Sequence, residues 1–229
     1  MDFTFGIITN GSNSDRIVKI VESIAFQYIP NYQIIVVGGN SYGKSLCSGN
    51  ILWIPFDETT KPNWITRKKN IITENAKYNT IVYLHDYIYL LPGWYIGMTY
   101  IQPNWDICMT QILNVDDSRY RDWVIWADKD YINDPSYNGE PGVRSNIIDR
   151  VLPPYNYDKT KNMYISGAYF IAKKYVMQTC QLDETLTWGQ SEDVKWSEEV
   201  LLKEKYRYVM NPYSKVKLMK YKDVAARVI

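Results

Sequence analysis

The chain has 229 residues, long enough to bury a core without disulfide or metal staples, and 46% of them are hydrophobic, as in a globular protein. Twenty-six basic against 25 acidic side chains leave a formal net charge of +1, so charge offers no argument for a nucleic acid or an anionic membrane surface as partner. No apolar run reaches bilayer length, the opening MDFTFGII lacks a signal peptide's basic start and cleavage site, and three scattered cysteines (Cys47, Cys108, Cys180) fit neither a disulfide framework nor a zinc knuckle; a soluble, cytoplasmic protein is expected.

Phe3 to Thr9 is an apolar, β-prone run closed by Asn10 and Gly11, which predicts a strand and a turn. Ser12, Asn13, Ser14 and Asp15 follow as cap-type residues. Ile17, Ile20, Val21 and Ile24 then recur at helical spacing, so a helix is expected from about Asp15 to Gln27, stopped by Pro30. Tyr32 to Val37 is a second strand, closed by Gly38 and Gly39. Strand, helix and strand make the βαβ element that binds nucleotides at its strand ends. TNGSNSD after the first strand holds one glycine where a dinucleotide fingerprint needs GxGxxG. GGNSYGKS, at Gly38 to Ser45, lacks the GxxxxGK spacing of a phosphate loop and reads as a turn.

Ile51 to Pro55 is a third short strand, with Asp57 and Glu58 after it. Asn63 to Tyr78 is a polar helix that turns Ile65, Ile71, Ile72 and Ala76 toward a sheet. Its first turns carry Arg67, Lys68 and Lys69. Two readings of these charges stay open: a solvated face, or a face toward an anionic ligand bound beyond the next strand. That strand lies in NTIVYLHDYIYLLPGW, Asn79 to Trp94. Ile81 to Leu84 form a buried run that ends on His85 and Asp86. In an open α/β sheet the ligand crevice lies beyond the carboxyl ends of the strands, so these two side chains are placed for ligand chemistry; the alternative is that Asp86 caps a turn. His85 is the only histidine, which excludes a multi-histidine metal site. Pro92 and Gly93 break the backbone, and Trp94 begins a new segment.

Ile107 to Asn114 and Trp123 to Ala127 are further strands. The stretch Asp116 to Asp158 is rich in Asp, Asn, Gly, Pro and Tyr, and reads as loop on a scale usual for lids and binding surfaces. The chain carries 21 tyrosines and eight tryptophans, and Trp123, Trp126, Tyr131, Tyr137 and Tyr155 in this region are the aromatic candidates for acceptor choice. Met163 to Ala172 predicts one strand with Gly167 at its centre, where a ligand or another backbone approaches. Lys173 to Cys180 suits a short helix. In LDETLTWGQSEDVKWSEEV, Leu182 to Val200, Trp188 and Gly189 make a turn. Ser191 stands at the N-cap of a helix that begins with Glu192 and Asp193. Roughly 0.3–1 kcal/mol of helix-dipole stabilisation is a sufficient structural reason for acidic residues there. Tyr206 to Asn211 is a last strand, and Lys215, Lys217, Lys220 and Lys222 lie in the tail. No repeat or low-complexity linker marks a domain boundary.

Four stretches in this order resemble a GT-A glycosyltransferase, and most of all the family 2-like enzymes: the N-terminal strand, turn and helix; RKKN at Arg67 to Asn70; YLHDYIYLLPGW, where that family has its DxD-type motif; and ISGAYFIAKK followed by WGQSEDVKWS. The resemblance implies an α/β fold with a Rossmann-like mixed sheet flanked by helices. It also implies a single domain over 1–229, with a nucleotide-binding half to about residue 100 and an acceptor half beyond it. The implied activity is transfer of a sugar from a nucleotide-sugar, by analogy a UDP-sugar, to a hydroxyl acceptor on a glycan, protein or small molecule. Thr9, Asn10 and Gly11 would border the nucleobase and ribose, and Lys69 and Asn70 would lie near the donor sugar and diphosphate. His85 belongs to the same donor-binding set. Asp86 would support a Mn²⁺ or Mg²⁺ ion or the ribose, Asp193 with Glu192 beside it would be the acid-base group, and Gly167, Trp188 and Gly189 would lie on the acceptor side. One position departs from the pattern: relatives usually read HDD, and here the second aspartate is Tyr87. The tail lysines, or Lys68 and Lys69, are available as point charges in its place. Two other classes stay open: a nucleotide-sugar binder without transfer activity, which the Tyr87 change permits, and a nucleotidyltransferase, whose glycine-rich basic signature TNGSNSD does not supply.

Overall fold

In the computed structural model of the chain, the described residues are 1–39, 50–128, 148–156, 163–224 and 226–228. The first half builds β1 (Phe3–Ile8), α1 (Ser14–Ala25), β2 (Tyr32–Val37), β3 (Ile51–Ile54), α2 (Ile65–Asn75), β4 (Thr80–His85), β5 (Ile88–Leu90) and α3 (Trp94–Thr99). The second half builds β6 (Ile107–Leu113), β7 (Trp123–Asp128), β8 (Ile148–Leu152), β9 (Met163–Ile165), β10 (Tyr169–Lys173), α4 (Lys174–Thr179), α5 (Glu192–Leu202), β11 (Tyr208–Leu218) and β12 (Arg227–Val228).

Among the described residues the larger sheet runs β3-β2-β1-β4-β10-β6-β11-β5 and the smaller β12-β8-β7-β9. β3, β2, β1 and β4 are mutually parallel, with Ile8 opposite both Val37 and His85, so three strands finish at one level. β10 then runs antiparallel between β4 and β6, and β11 lies parallel to β6. Strand alternation sends side chains to two cores. Phe3, Phe5, Ile7, Val82, Leu84, Tyr169 and Ile171 face α1 and α3, where Ile17, Ile20, Ile24, Trp94 and Met98 are buried. Ile8, Ile81, Tyr83, Phe170 and Ala172 face α2, α4 and α5, with Ile72, Met177 and Trp196. Each face therefore joins residues from both halves of the chain. Both faces being covered explains why β1 and β4 read as continuous apolar runs. α2 lies so close to β1 that a Cβ at Gly6 would stand 2.3 Å from the Ile72 side chain.

Four expectations change. Met163 to Ala172 is two strands in different sheets, broken around Gly167, because β9 pairs with β7 while β10 pairs with β4. The stretch Asp116 to Asp158 contains a second strand, β8, besides the predicted one. The last strand extends to Leu218, its register shifting between Asn211 and Lys215, where Pro212 withdraws a ladder donor. Ile88–Leu90 forms a strand of its own, paired with β11. The segment GGNSYGKS beyond residue 39, the side chain of Trp126, and Tyr131, Tyr137 and Cys47 lie outside the described residues.

Candidate functional site

Two neighbouring groups of residues collect at the carboxyl ends of β1 and β4. In the first, the Thr9 hydroxyl donates to an Asp86 carboxylate oxygen at 2.8 Å and accepts the Gly11 N–H at 3.0 Å. Asn10 closes a local turn by accepting from the Ser12 N–H at 3.0 Å. The Asp86 N–H donates to the Ile8 carbonyl at 3.1 Å, so the carboxylate is anchored by both its backbone and its head. The turn reading of Asp86 holds: the residue ties two strand ends together and is partly exposed there.

The second group lines a cleft of about 210 Å³. His85, Gly167, Trp188, Gly189, Glu192 and Asp193 are brought together in its wall, which also includes Tyr87, Tyr120, Arg121, Tyr164 and Lys222. Gly167 organises the acidic side. Its N–H donates to Asp193 Oδ2 at 2.8 Å, and its carbonyl accepts from Lys69 Nζ at 2.7 Å. A Cβ there would lie 2.7 Å from Glu192 Oε1 and 3.0 Å from Asp193 Oδ2, so glycine is what lets both carboxylates approach. The Asp193 backbone carbonyl accepts the Ser197 hydroxyl, whose oxygen in turn accepts the Ile165 N–H, fixing α5 to β9. Ser191 occupies the N-cap position, but in the left-handed region (φ 58°) and without a side-chain cap. Its contribution is the sharp entry into α5. Burial pushes the Glu192 carboxyl above its ordinary range, opposed by the Lys69 ammonium 3.8 Å away and reinforced by Asp193. Trp188 is 61% exposed at the rim, an open ring available for stacking.

The basic run of α2 is divided: Arg67 stays partly exposed, paired with Glu74 and Glu184, while its two lysines are buried. Lys68 and Lys69 are 3% and 1% exposed, so they are not a solvated face, and both are spent on the protein. Lys68 Nζ donates to the Thr9 carbonyl at 2.8 Å and pairs with Glu58 at 2.5 Å, steadying the end of β1. Lys69 lies beneath Gly167. Asn70 is placed away from the cleft lining: its amide donates to the Leu182 carbonyl and to Glu184, both at 2.9 Å, and accepts the Leu182 N–H. Trp64, Thr66 and Arg67 bond Glu184 and Leu186 as well. α2 is thus a clamp on residues 182–186, which lead to Trp188 and Gly189. Trp123 is buried in the core rather than displayed for an acceptor, and Tyr155 donates to buried Asp122 at 3.0 Å.

Tyr87 is 7% exposed, and its hydroxyl accepts from Lys222 Nζ at 2.6 Å. Lys220 Nζ stands 4.5 Å from the centre of the same ring. Arg121 donates to the Tyr120 hydroxyl at 3.0 Å. Sequence reasoning overlooked Arg121, which carries no local signal; the tail lysines were visible only as charges. Among the described residues no group of three or more His, Cys, Asp or Glu side chains comes together as a metal-binding set. A hard divalent ion asks for several oxygen ligands. This site offers Asp86, which already accepts a hydroxyl, and next to it a tyrosine held by an ammonium. That strand-end donor set does not fit an ion held by protein groups alone, and the expected Mn²⁺ or Mg²⁺ has one strand-end carboxylate, Asp86, to hold it, Asp193 being bonded to the Gly167 N–H and Glu192 facing Lys69. His85 is 8% exposed, and its Nε2 has no hydrogen-bond partner among the described residues.

A mixed α/β sheet whose parallel strands end at a half-acidic, half-basic cleft defines the class of protein. The particular architecture is the GT-A fold of glycosyltransferases. No protein-family model and no curated protein sequence matches the chain. Solved structures do. It is similar to GalNAc-T7 crystallised with UDP, GalNAc and Mn²⁺, at a TM-score of 0.64 and 12% identity over 98% of this chain and 45% of that one. It is similar to S. aureus TarS 1-349 in complex with UDP-GlcNAc, at a TM-score of 0.62 and 13% identity over 98% of this chain and 60% of that one. For TarS 1-349 without a named ligand the TM-score is 0.59 and the identity 14%, over 94% and 60%. At such identities the likeness is one of fold, and the chain spans about half the length of these neighbours. Among the described residues no helix is long and apolar enough to cross a membrane.

Proposed function

We propose that the chain is a glycosyltransferase that moves a sugar from a nucleotide-sugar, a UDP-sugar by analogy with the neighbours, to a hydroxyl-bearing acceptor with inversion. The observation that carries this reading is the Asp193 carboxylate, aimed by the Gly167 N–H at the edge of a cleft whose other wall is cationic. Thr9, Asn10, Gly11 and Asp86 receive the nucleoside at the strand ends, as the positions of the resemblance imply. The sugar then lies in the cleft over Gly167, with the acceptor entering past Trp188 and Gly189. Asp193 takes the proton of the acceptor hydroxyl while that oxygen bonds to the anomeric carbon. The bond from the anomeric carbon to the diphosphate oxygen breaks, and the electron pair leaves with the diphosphate. Glu192, held beneath by Lys69, packs beside Asp193 against Gly167. The chain's own residues supply these steps, and none is routed through a metal ion.

The test is sugar release from a panel of UDP- and GDP-sugars by the wild type and by Asp193→Asn. Loss of a general base predicts a kcat lower by about 10²–10⁴ with nucleotide affinity retained. Binding with no turnover in the wild type would favour a nucleotide-sugar binder instead.

A further inference from the structure

Lys222, Lys220 and Arg121 converge on two aromatic rings at the cleft. Lys222 Nζ lies 4.2 Å from the Tyr87 ring centre and 5.8 Å from that of Tyr120, and the Arg121 guanidinium carbon lies 5.4 Å from the Tyr120 ring. Among the described residues no carboxylate pairs with any of the three, whereas Lys68, Lys69, Lys195 and Lys217 each face one. The arrangement is built, because Asn114, fully buried, grips the Lys222 backbone from both sides. Its side chain donates to the Lys222 carbonyl at 2.9 Å and accepts the Lys222 N–H at 3.0 Å. The Met219 N–H donates to the Tyr87 carbonyl at 2.8 Å, holding the tail against β4's exit. Unpaired like charges held together repel one another. Burial, then Lys220 and Arg121, push the Lys222 ammonium down to about 8. An anion placed among them relieves that repulsion. His85, whose Nε2 has no partner among the described residues, lines the same cleft.

We infer that Lys222, with Lys220 and Arg121, is the pole that binds and neutralises the donor's diphosphate, and that it does so without a divalent ion held by the protein. The inference rests on the glycosyltransferase reading and deepens it. It also decides between the two basic groups visible in the sequence: Lys68 and Lys69 face carboxylates and donate to protein carbonyls, whereas Lys220 and Lys222 face no carboxylate among the described residues. Tyr87, standing where an aspartate is usual, is the contact that positions Lys222. A carboxylate there would instead pair with the ammonium and cancel the charge the diphosphate needs.

The experiment is calorimetric titration of the full chain with UDP, GDP, ADP and inorganic pyrophosphate, each in EDTA and in Mn²⁺. The proteins are the wild type, Lys222→Met, Lys222→Arg and, at an exposed position, Lys220→Ala. The expected result has three parts. At least one nucleoside diphosphate binds in EDTA within about threefold of its affinity in Mn²⁺, Lys222→Met weakens it about tenfold or more, and Lys222→Arg restores most of the loss. Lys220→Ala weakens it by a smaller factor, which stands even if Lys222→Met does not fold. Binding that needs Mn²⁺ and ignores Lys222 and Lys220 would overturn the inference and leave the proposed transfer intact. Absence of binding by every nucleotide in both buffers would overturn the transferase reading, and the inference with it.

Discussion

Replacing Lys69 by methionine removes a cation whose ammonium donates to the Gly167 carbonyl at 2.7 Å and faces Glu192 at 3.8 Å. At an effective dielectric of about 20, two unit charges at that separation attract by about 4 kcal/mol. For each partner burial outweighs this attraction, since Lys69 is pushed below its ordinary range and Glu192 above it. Lys69→Met leaves Glu192 buried beside Asp193 with no cation, and breaking a buried pair in this way costs about 3–5 kcal/mol. Removing both charges, Lys69→Met with Glu192→Gln, also removes both desolvation penalties. The double variant is therefore expected to be less destabilised than Lys69→Met alone. Urea unfolding at pH 7 of the wild type, both single variants and the double variant measures this directly. A coupling of about 2–4 kcal/mol is expected. Single effects that add to within about 0.5 kcal/mol would refute the argument that Lys69 acts through Glu192, and would return it to the ligand.

Asn70→Ala strips the clamp on residues 182–186 and leaves the buried Leu182 N–H without a partner; a loss of about 2–3 kcal/mol by urea unfolding is expected, with nucleotide affinity little changed. His85 is pushed well below its ordinary value, first by burial and then by Lys69, Lys222, Lys68 and Lys220. Below pH about 6.5 the unfolded chain takes up a proton that the folded chain refuses, so this contribution to stability is present above that pH and is lost as pH falls from it. The native imidazole resonance should show no inflection near 6.5, and the fall in unfolding free energy below that pH should shrink in His85→Gln.

Much of the nucleotide-side architecture could be read from sequence because β1, β2 and β4 are largely buried and appear as mostly apolar, β-prone runs, while Ile17, Ile20 and Ile24 leave a plain helical stripe. Gly167 was visible as a close-approach point. The break it makes was not, since MYISGAYFIA is apolar throughout and pairing with β7 on one side and β4 on the other is set by distant partners. β5 was hidden the same way, inside an apolar stretch whose partner, β11, lies at the other end of the chain. At the site, the acidic pair could be read from its place at a helix start. The fate of the α2 cations could not: Lys68 and Lys69 bury themselves on carbonyls of Thr9 and Gly167, contacts that no periodicity announces. Lys222 reaches Tyr87 across 135 positions, so the meaning of the Tyr87 change emerges only when the tail is seen folded over it.

The central claim is that this cleft receives a nucleotide-sugar, and the chain carries one histidine, which lines the cleft. The imidazole Cε1–H resonance of His85 is therefore an unambiguous reporter. Titrating UDP, GDP, ADP and their sugars should move it saturably for one nucleotide series. The sugar-bearing form should shift it differently from the bare diphosphate, because the sugar reaches toward Gly167. A resonance unmoved by every nucleotide and nucleotide-sugar at millimolar concentration would contradict the assignment of this cleft.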